Sequence, residues 1–272
     1  MRSELPPGSE SDLEAVAFGA DPGRARLMPA VDARSAWLRA VALGGQGHYG
    51  RARSELRAAR SLAGPDRSLQ SLIVSTEASL LRQLGWHRTA AQRDGAALAL
   101  LNGVSSDTDS TAARCDGFTG LAADALGVGR FALGHRLIQR CDEMLDAAGA
   151  DQALWRQHIR RQWVGAELAL GGGDARRAMK HAQAAKELSD TGPSVRHRVK
   201  SSLLVAACFA ASDRLAEAHS EAREVVDQSA RFGLIPLRWA AAMLLAGTGC
   251  PNEIAAASAS LIFRRGGRFY QP

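Results

Sequence analysis

The residue types that carry most protein chemistry are scattered along this chain rather than clustered. Its seven histidines, His48, His87, His135, His158, His181, His197 and His219, never stand four apart on a helix. Its four cysteines, Cys115, Cys141, Cys208 and Cys250, lie tens of residues from one another with no Cys-x-x-Cys or histidine-bearing spacing. A metal site needs two or more ligands brought to one place, so no metal is expected, and the cysteines read as small buried hydrophobes in a reducing compartment. No His-Glu-x-x-His, Gly-x-Ser-x-Gly or phosphate-loop stretch is present, and Gly171-Gly172-Gly173 lacks the lysine and serine that would follow in a phosphate cradle. The triplet reads as a turn. Asp142, Glu143 and Asp146 read as a solvated face or a patch for a basic partner. These absences predict a protein that is not an enzyme and holds no cofactor.

Charge offers a second candidate chemistry. Arg156, Arg160 and Arg161 share a helical neighbourhood with Trp155 and Trp163, and Arg196, His197, Arg198 and Lys200 stand together further on. Such a stripe could take phosphates in a salt-dependent way. The plainer reading is a set of solvated helix faces balanced by Asp151, Glu167 and Glu187. With 34 basic against 28 acidic residues the chain carries a formal charge of only +6, and both signs are interspersed. Nucleic-acid binders concentrate charge on one face, which leaves nucleic acid as the alternative partner rather than the leading one.

The elements that would position these groups are helices. Alanine and leucine crowd the chain, 46% of residues are apolar and only 5% aromatic, and no period-two run of β-branched residues occurs. Residues 1–30 are rich in Pro, Gly, Ser and acidic side chains, which predicts a flexible arm in which only Leu13 to Phe18 can make a short helix. From about Ala33, apolar-periodic stretches are broken at Gly47-His48-Tyr49, Gly85-Trp86-His87, Gly129-Arg130-Phe131, Gly173-Asp174-Ala175 and Asp213-Arg214-Leu215. Seven residues before each break stands an alanine: Ala40, Ala78, Ala122, Ala166 and Ala206. After each break a second small residue follows: Ala52, Ala90, Gly134, Ala178 and Ala218. Two antiparallel helices approach within about 8–10 Å only where facing side chains are small, so these columns mark the crossing points of helical hairpins. A sixth pair is predicted over Leu234 to Ala246 and Asn252 to Phe263, after the start signal Pro251.

On these residues the chain resembles the tetratricopeptide repeat family. The match is degenerate: successive breaks lie 38, 44, 44 and 40 residues apart, against about 34 in the family. The resemblance implies an all-α, right-handed α-solenoid of five to six antiparallel helix pairs over residues 31–263, with a concave groove lined by the first helix of each pair. Carried onto this chain, that groove would present Arg34, Trp37, Ser79, Arg82, Gln83, Thr119, Arg160, Trp163, Glu167, Lys200 and Leu203. The lysine–asparagine clamp by which some members hold acidic chaperone tails is not expected, since the only asparagines are Asn102 and Asn252.

The tail, residues 264–272, carries Arg264, Arg265, Arg268, Phe269 and Tyr270, read as a basic segment contacting a partner or RNA. No stretch reaches the ~20 apolar residues that span a bilayer, and the N-terminal residues lack a signal-peptide core. The expectation is therefore a soluble cytoplasmic scaffold or regulator that binds a protein or peptide in its groove.

Overall fold

The computed structural model describes residues 9–271, and among them it is all-α, with no strand. A short helix, α1 (Ser9–Ala17), precedes six hairpins: α2 (Ala33–Gly45) with α3 (Tyr49–Leu62), α4 (Arg67–Arg82) with α5 (His87–Leu100), and α6 (Thr108–Gly127) with α7 (Phe131–Ala148). There follow α8 (Trp155–Gly171) with α9 (Ala175–Asp190), α10 (Val195–Ala211) with α11 (Leu215–Arg231), and α12 (Ile235–Gly247) with α13 (Ile254–Arg264). Each first helix also packs against the first helix of the next pair, from α2 through α4, α6, α8 and α10 to α12.

Local chemistry sets the boundaries. Asp32, Asp66 and Asp107 cap α2, α4 and α6, their carboxylates accepting hydrogen bonds from the backbone N–H groups of Ser35, Leu69 and Ser110. The turn inside each hairpin is a left-handed glycine closure: after α2, the His48 N–H donates to the Leu43 carbonyl at 2.8 Å while Gly47 sits at φ 80°. The same bond recurs as Trp86 to Leu81, Arg130 to Ala125 and Asp174 to Ala169, and in the fifth hairpin as Arg214 to Phe209. There Asp213, φ 57°, takes the place of glycine.

Ala40, Ala78, Ala122, Ala166 and Ala206 are all 0% exposed, as are Ala52, Ala90 and Ala178 on the facing helices. A Cβ at Gly134 would lie 3.3 Å from the Ala122 carbonyl oxygen, so the third pair crosses with almost no side-chain volume between the rods.

The stack does not end in open faces, because its two ends meet. Ile262 of α13 belongs to the same apolar cluster as Tyr49 and Leu38 of the first pair. The tail continues the seal: the Gly50 N–H donates to the Arg265 carbonyl at 2.8 Å, and the Tyr270 N–H to the Leu84 carbonyl at 2.7 Å. Trp86 Nε1 donates to the Arg268 carbonyl at 2.8 Å, and Phe269 packs on Trp239 with ring centroids 4.6 Å apart. The tail, expected to contact a partner or RNA, is bound to its own chain, where it completes hydrogen bonds and an apolar surface on the first two pairs.

The N-terminal arm departs from its compositional reading in the same way. Over residues 9–30 it is ordered: Leu13 and Val16 are buried against the first pair, each contributing about 1.5–3 kcal/mol of apolar burial, which offsets the ordering of a short helix. Beyond α1 the arm crosses to the fifth pair, where the Val195 N–H donates to the Gly19 carbonyl at 3.1 Å. Gln46 Nε2 holds the Pro22 and Arg24 carbonyls at 2.8 and 3.0 Å. Residues 1–8 lie outside the described residues.

Candidate ligand-binding cavity

Closing the stack turns the inner wall of the first helices into the lining of a cavity of about 540 Å³. Counting from the alanine column, the position three residues earlier is Trp37, Ser75, Thr119, Trp163 and Leu203, and all five line it. Six residues earlier come Leu72, Asp116, Arg160 and Lys200, also on the wall. One turn in a helix brings such positions onto one stripe, and each first helix turns this stripe to the same interior.

Of the residues carried over from the repeat resemblance, Trp37, Ser79, Arg82, Gln83, Thr119, Arg160, Trp163, Glu167, Lys200 and Leu203 face this cavity. Arg34 is not on its wall: it is exposed at the start of α2, 3.1 Å from Glu14. The two tryptophans are structural as well as lining. Trp37 Nε1 donates to Thr76 Oγ1 at 2.8 Å and Trp163 Nε1 to Ser201 Oγ at 2.9 Å, each bridging to the next first helix, and both rings are buried.

Three polar groups divide the wall. In the first, Arg82 pairs with both Asp94 and Asp124, whose side chains are 0% and 1% exposed, and His87 Nδ1 lies 3.1 Å from Asp124. Two carboxylates share one guanidinium, so burial wins over the attraction at Asp94 and pushes its pKa up to about 6. In the second, Lys200 Nζ lies 3.3 Å from Glu167 and 4.6 Å from the Trp163 ring. Gln83 accepts from the Tyr49 hydroxyl at 3.1 Å nearby on the wall.

The third group was read in sequence as solvated helix faces, and the structure corrects this. Arg156, Arg160 and Arg196 line the interior, the first two beside Asp116 of α6. Arg160 Nε is 3.0 Å and Arg156 Nη1 3.9 Å from the Asp116 carboxylate, with the two arginine side chains 24% and 15% exposed. Phe18, delivered by the arm, lies under the Arg156 guanidinium at 4.2 Å and 5.8 Å from that of Arg196. Burial lowers the Arg196 pKa to about 10, with Arg160 and Arg156 adding to the shift, and burial lowers that of Arg156 too. His197, expected at the surface, is 3% exposed. Its ring stacks on Trp163 and meets Trp155 edge-on, both at 5.0 Å, and burial holds its pKa well below the ordinary histidine value. The sequence marks this group one turn beyond the inner stripe: Arg156 and Arg196 each precede their column alanine by ten residues.

Elsewhere the chemistry stays dispersed. Cys115, Cys141 and Cys208 are buried thiols, whereas Cys250 is only half-buried, against expectation, with Sγ 3.3 Å from His219 Nδ1 and 3.6 Å from Nε2. Near-equal distances to both nitrogens put the sulfur beside the ring rather than along a lone pair, so this is packing and not a nucleophile–base pair. Asp142 pairs with Arg161, and Glu143 with Arg140 at 3.1 Å. Among the described residues no three histidines, cysteines or carboxylates gather as metal ligands, and no helix is long and apolar enough to cross a membrane. Of the tail residues, Arg265 Nη1 donates to the Gln46 carbonyl at 2.7 Å, Phe269 and Tyr270 pack on Trp239 and Trp86, and Arg264 and Arg268 are exposed.

No family model matches the chain, and no curated protein matches it.

Proposed function

We propose that the protein is a non-catalytic binding module built as a right-handed, tetratricopeptide-like solenoid, which takes a short peptide segment of a protein partner into its central cavity. The observation that supports this reading is the lining: stripes from all six first helices converge on one space whose wall alternates aromatic rings with buried charged groups. A volume of about 540 Å³ falls in the range of specific ligand sites, roughly 300–1,000 Å³, and suits a few residues rather than a folded domain. Mixed aromatic and arginine walls are the chemistry by which interfaces anchor partners.

The nucleic-acid alternative has less to stand on. Arg156, Arg160 and Arg196 face inward, Arg161 is paired with Asp142, and Arg265 is engaged with the Gln46 carbonyl, which leaves the exposed Arg264 and Arg268 of the tail to carry that reading.

A random hexapeptide library selected on the immobilised full chain tests the proposal. Ser79 lies on the cavity wall, half-buried and outside the ion-pair groups, so Ser79→Trp fills the space and leaves them intact. Peptides enriched on the wild type and lost on Ser79→Trp support a cavity-binding module. Enrichment that survives Ser79→Trp, or none on either protein, overturns it.

A further inference from the structure

We propose that the occupant of the cavity delivers an anionic group, a carboxylate or a phosphate, to the cluster formed by Arg156, Arg160 and Arg196. The inference rests on reading the cavity as a peptide-binding site and names what the peptide must carry.

Charge on this part of the wall is unbalanced. Three guanidiniums from α8 and α10 share this part of the wall with one carboxylate, Asp116, which only Arg160 approaches closely, at 3.0 Å, with Arg156 at 3.9 Å. Arg196 donates to a neutral acceptor, the Val41 carbonyl oxygen at 3.2 Å, and among the described residues no carboxylate lies within ion-pair distance of it. The neighbouring charges do not restore balance. Lys200 is paired with Glu167 at 3.3 Å, and Arg34 lies off the wall, 3.1 Å from Glu14. Among the described residues the wall keeps a positive surplus even with the extra carboxylate of the Arg82 group counted.

Desolvation at the edge of an apolar space costs stability, and the like charges held together add to the cost, in line with the lowered pKa values of Arg196 and Arg156. An arriving anion reverses both penalties and finds planar donors that suit carboxylate and phosphate oxygens. The amino ends of α8 and α10, on whose first turns Arg156 and Arg196 stand, add positive dipole to the same corner. The wall beside and beyond the arginines is apolar, with Trp37, its ring 6.0 Å from the Arg156 guanidinium, and Leu72, Leu80 and Trp239, so the fitting peptide joins an acidic group to apolar residues.

The test uses the full chain and three probes: hexapeptide libraries with Glu or with Gln fixed at each position in turn, and inorganic phosphate alone at constant ionic strength. The expected result is enrichment of Glu over Gln at one position by about ten-fold or more, falling to parity on Arg196→Met and Arg156→Met. Both variants are expected to melt at or above the wild-type temperature, because each removes a buried like-charge repulsion. A drop in melting temperature with unchanged Glu preference assigns the arginines a structural role and overturns the proposal. Enrichment of peptides without Glu preference overturns the anionic site and leaves the binding module standing. Saturable stabilisation by phosphate, abolished in Arg196→Met but with no peptide enriched, supports the anion site and sinks the peptide reading. No enrichment and no phosphate effect sinks both.

Discussion

Gly120 of α6 lies flat against the carboxylate of Asp94 on α5: a Cβ at Gly120 would stand 2.1 Å from Asp94 Oδ2 and 2.8 Å from Arg82 Nη2. The ion-pair group that joins the second and third hairpins therefore has no room for even a methyl group. Gly120→Ala is expected to destabilise the protein by about 3 kcal/mol, since the added carbon must push a buried carboxylate off its guanidinium. Urea denaturation of the two proteins measures this, and a loss under about 0.5 kcal/mol, the level of an ordinary surface change, would show that the group relaxes freely.

Asp94 itself predicts a pH effect. Its pKa stands at about 6 in the folded chain against 3.8 as a free side chain, raised by burial. The folded state thus binds this proton more tightly than the unfolded one. The associated stability is complete below about pH 4 and is lost as the pH rises through 6, on the order of 2–3 kcal/mol. Asp107, Asp151 and Glu217, whose pKa values are lowered by hydrogen bonds, contribute with the opposite sign and alike in the wild type and an Asp94 variant. Asp94→Asn removes this titrating group. Its stability relative to wild type should be more favourable at pH 7.5 than at pH 4.5; a difference independent of pH would mean that Asp94 is ionised throughout.

His197 acts with the opposite sign. Its folded pKa is held well below 6.5 by burial and by Arg196, Arg156, Arg160 and Lys200 around it. The unfolded chain therefore takes up the proton first. Stability from this residue is full above pH 6.5 and falls as the solution is acidified below it. His197→Phe keeps an aromatic ring against Trp163 and Trp155 and should lose less stability than wild type between pH 7 and pH 5. Equal losses in thermal melts at the two pH values would place the acid sensitivity elsewhere.

What the sequence disclosed depended on how local the cause was. The hairpins were legible because their cause repeats: a small residue at a crossing and a left-handed residue at a turn leave marks within one segment, and Ala166 or Gly173 can be read without knowing what faces them. The inner stripe followed from those marks, as Trp163 and Thr119 show. The arginine cluster was written in the same register, but Arg156 and Arg196 looked solvated because nothing local tells that α8 and α10 turn their first turns inward. Closure left no pattern at all. Tyr270 meets Leu84, and Gly19 meets Val195, through contacts across the whole chain, while composition marked neither end as packed on its own chain.

Asp213 is the one described non-glycine residue at positive φ, 57°. The four preceding hairpins place Gly47, Gly85, Gly129 and Gly173 at the matching turn, which a side chain fits at a cost of about 1 kcal/mol. Asp213→Gly relieves that strain and loses some in unfolded-chain entropy, for a net gain of about 0.5 kcal/mol. Asp213→Val, with a branched side chain in the same backbone, should cost more than 1 kcal/mol. If both substitutions destabilise alike, the aspartate side chain rather than the backbone governs this turn.

The seal between the ends makes a last prediction. Residues 265–271 supply the Arg265 and Arg268 carbonyls that accept from Gly50 and Trp86, and Phe269 covers Trp239. Gly267 is wedged so that a Cβ there would meet Ile262 and Tyr49 at 2.6 and 2.7 Å. A chain ending at Arg264 leaves those donors to water and exposes apolar surface on both the first and last hairpins. The expected cost is about 2–4 kcal/mol. Because the tail ties the sixth hairpin to the first two, the loss should be local: amide exchange in α12 and α13 and at the turns around Gly50 and Trp86 accelerates strongly while α6 and α8 stay protected. Uniform acceleration through all six pairs would instead mean that the ring folds as one cooperative unit, with the tail as the clasp of the whole.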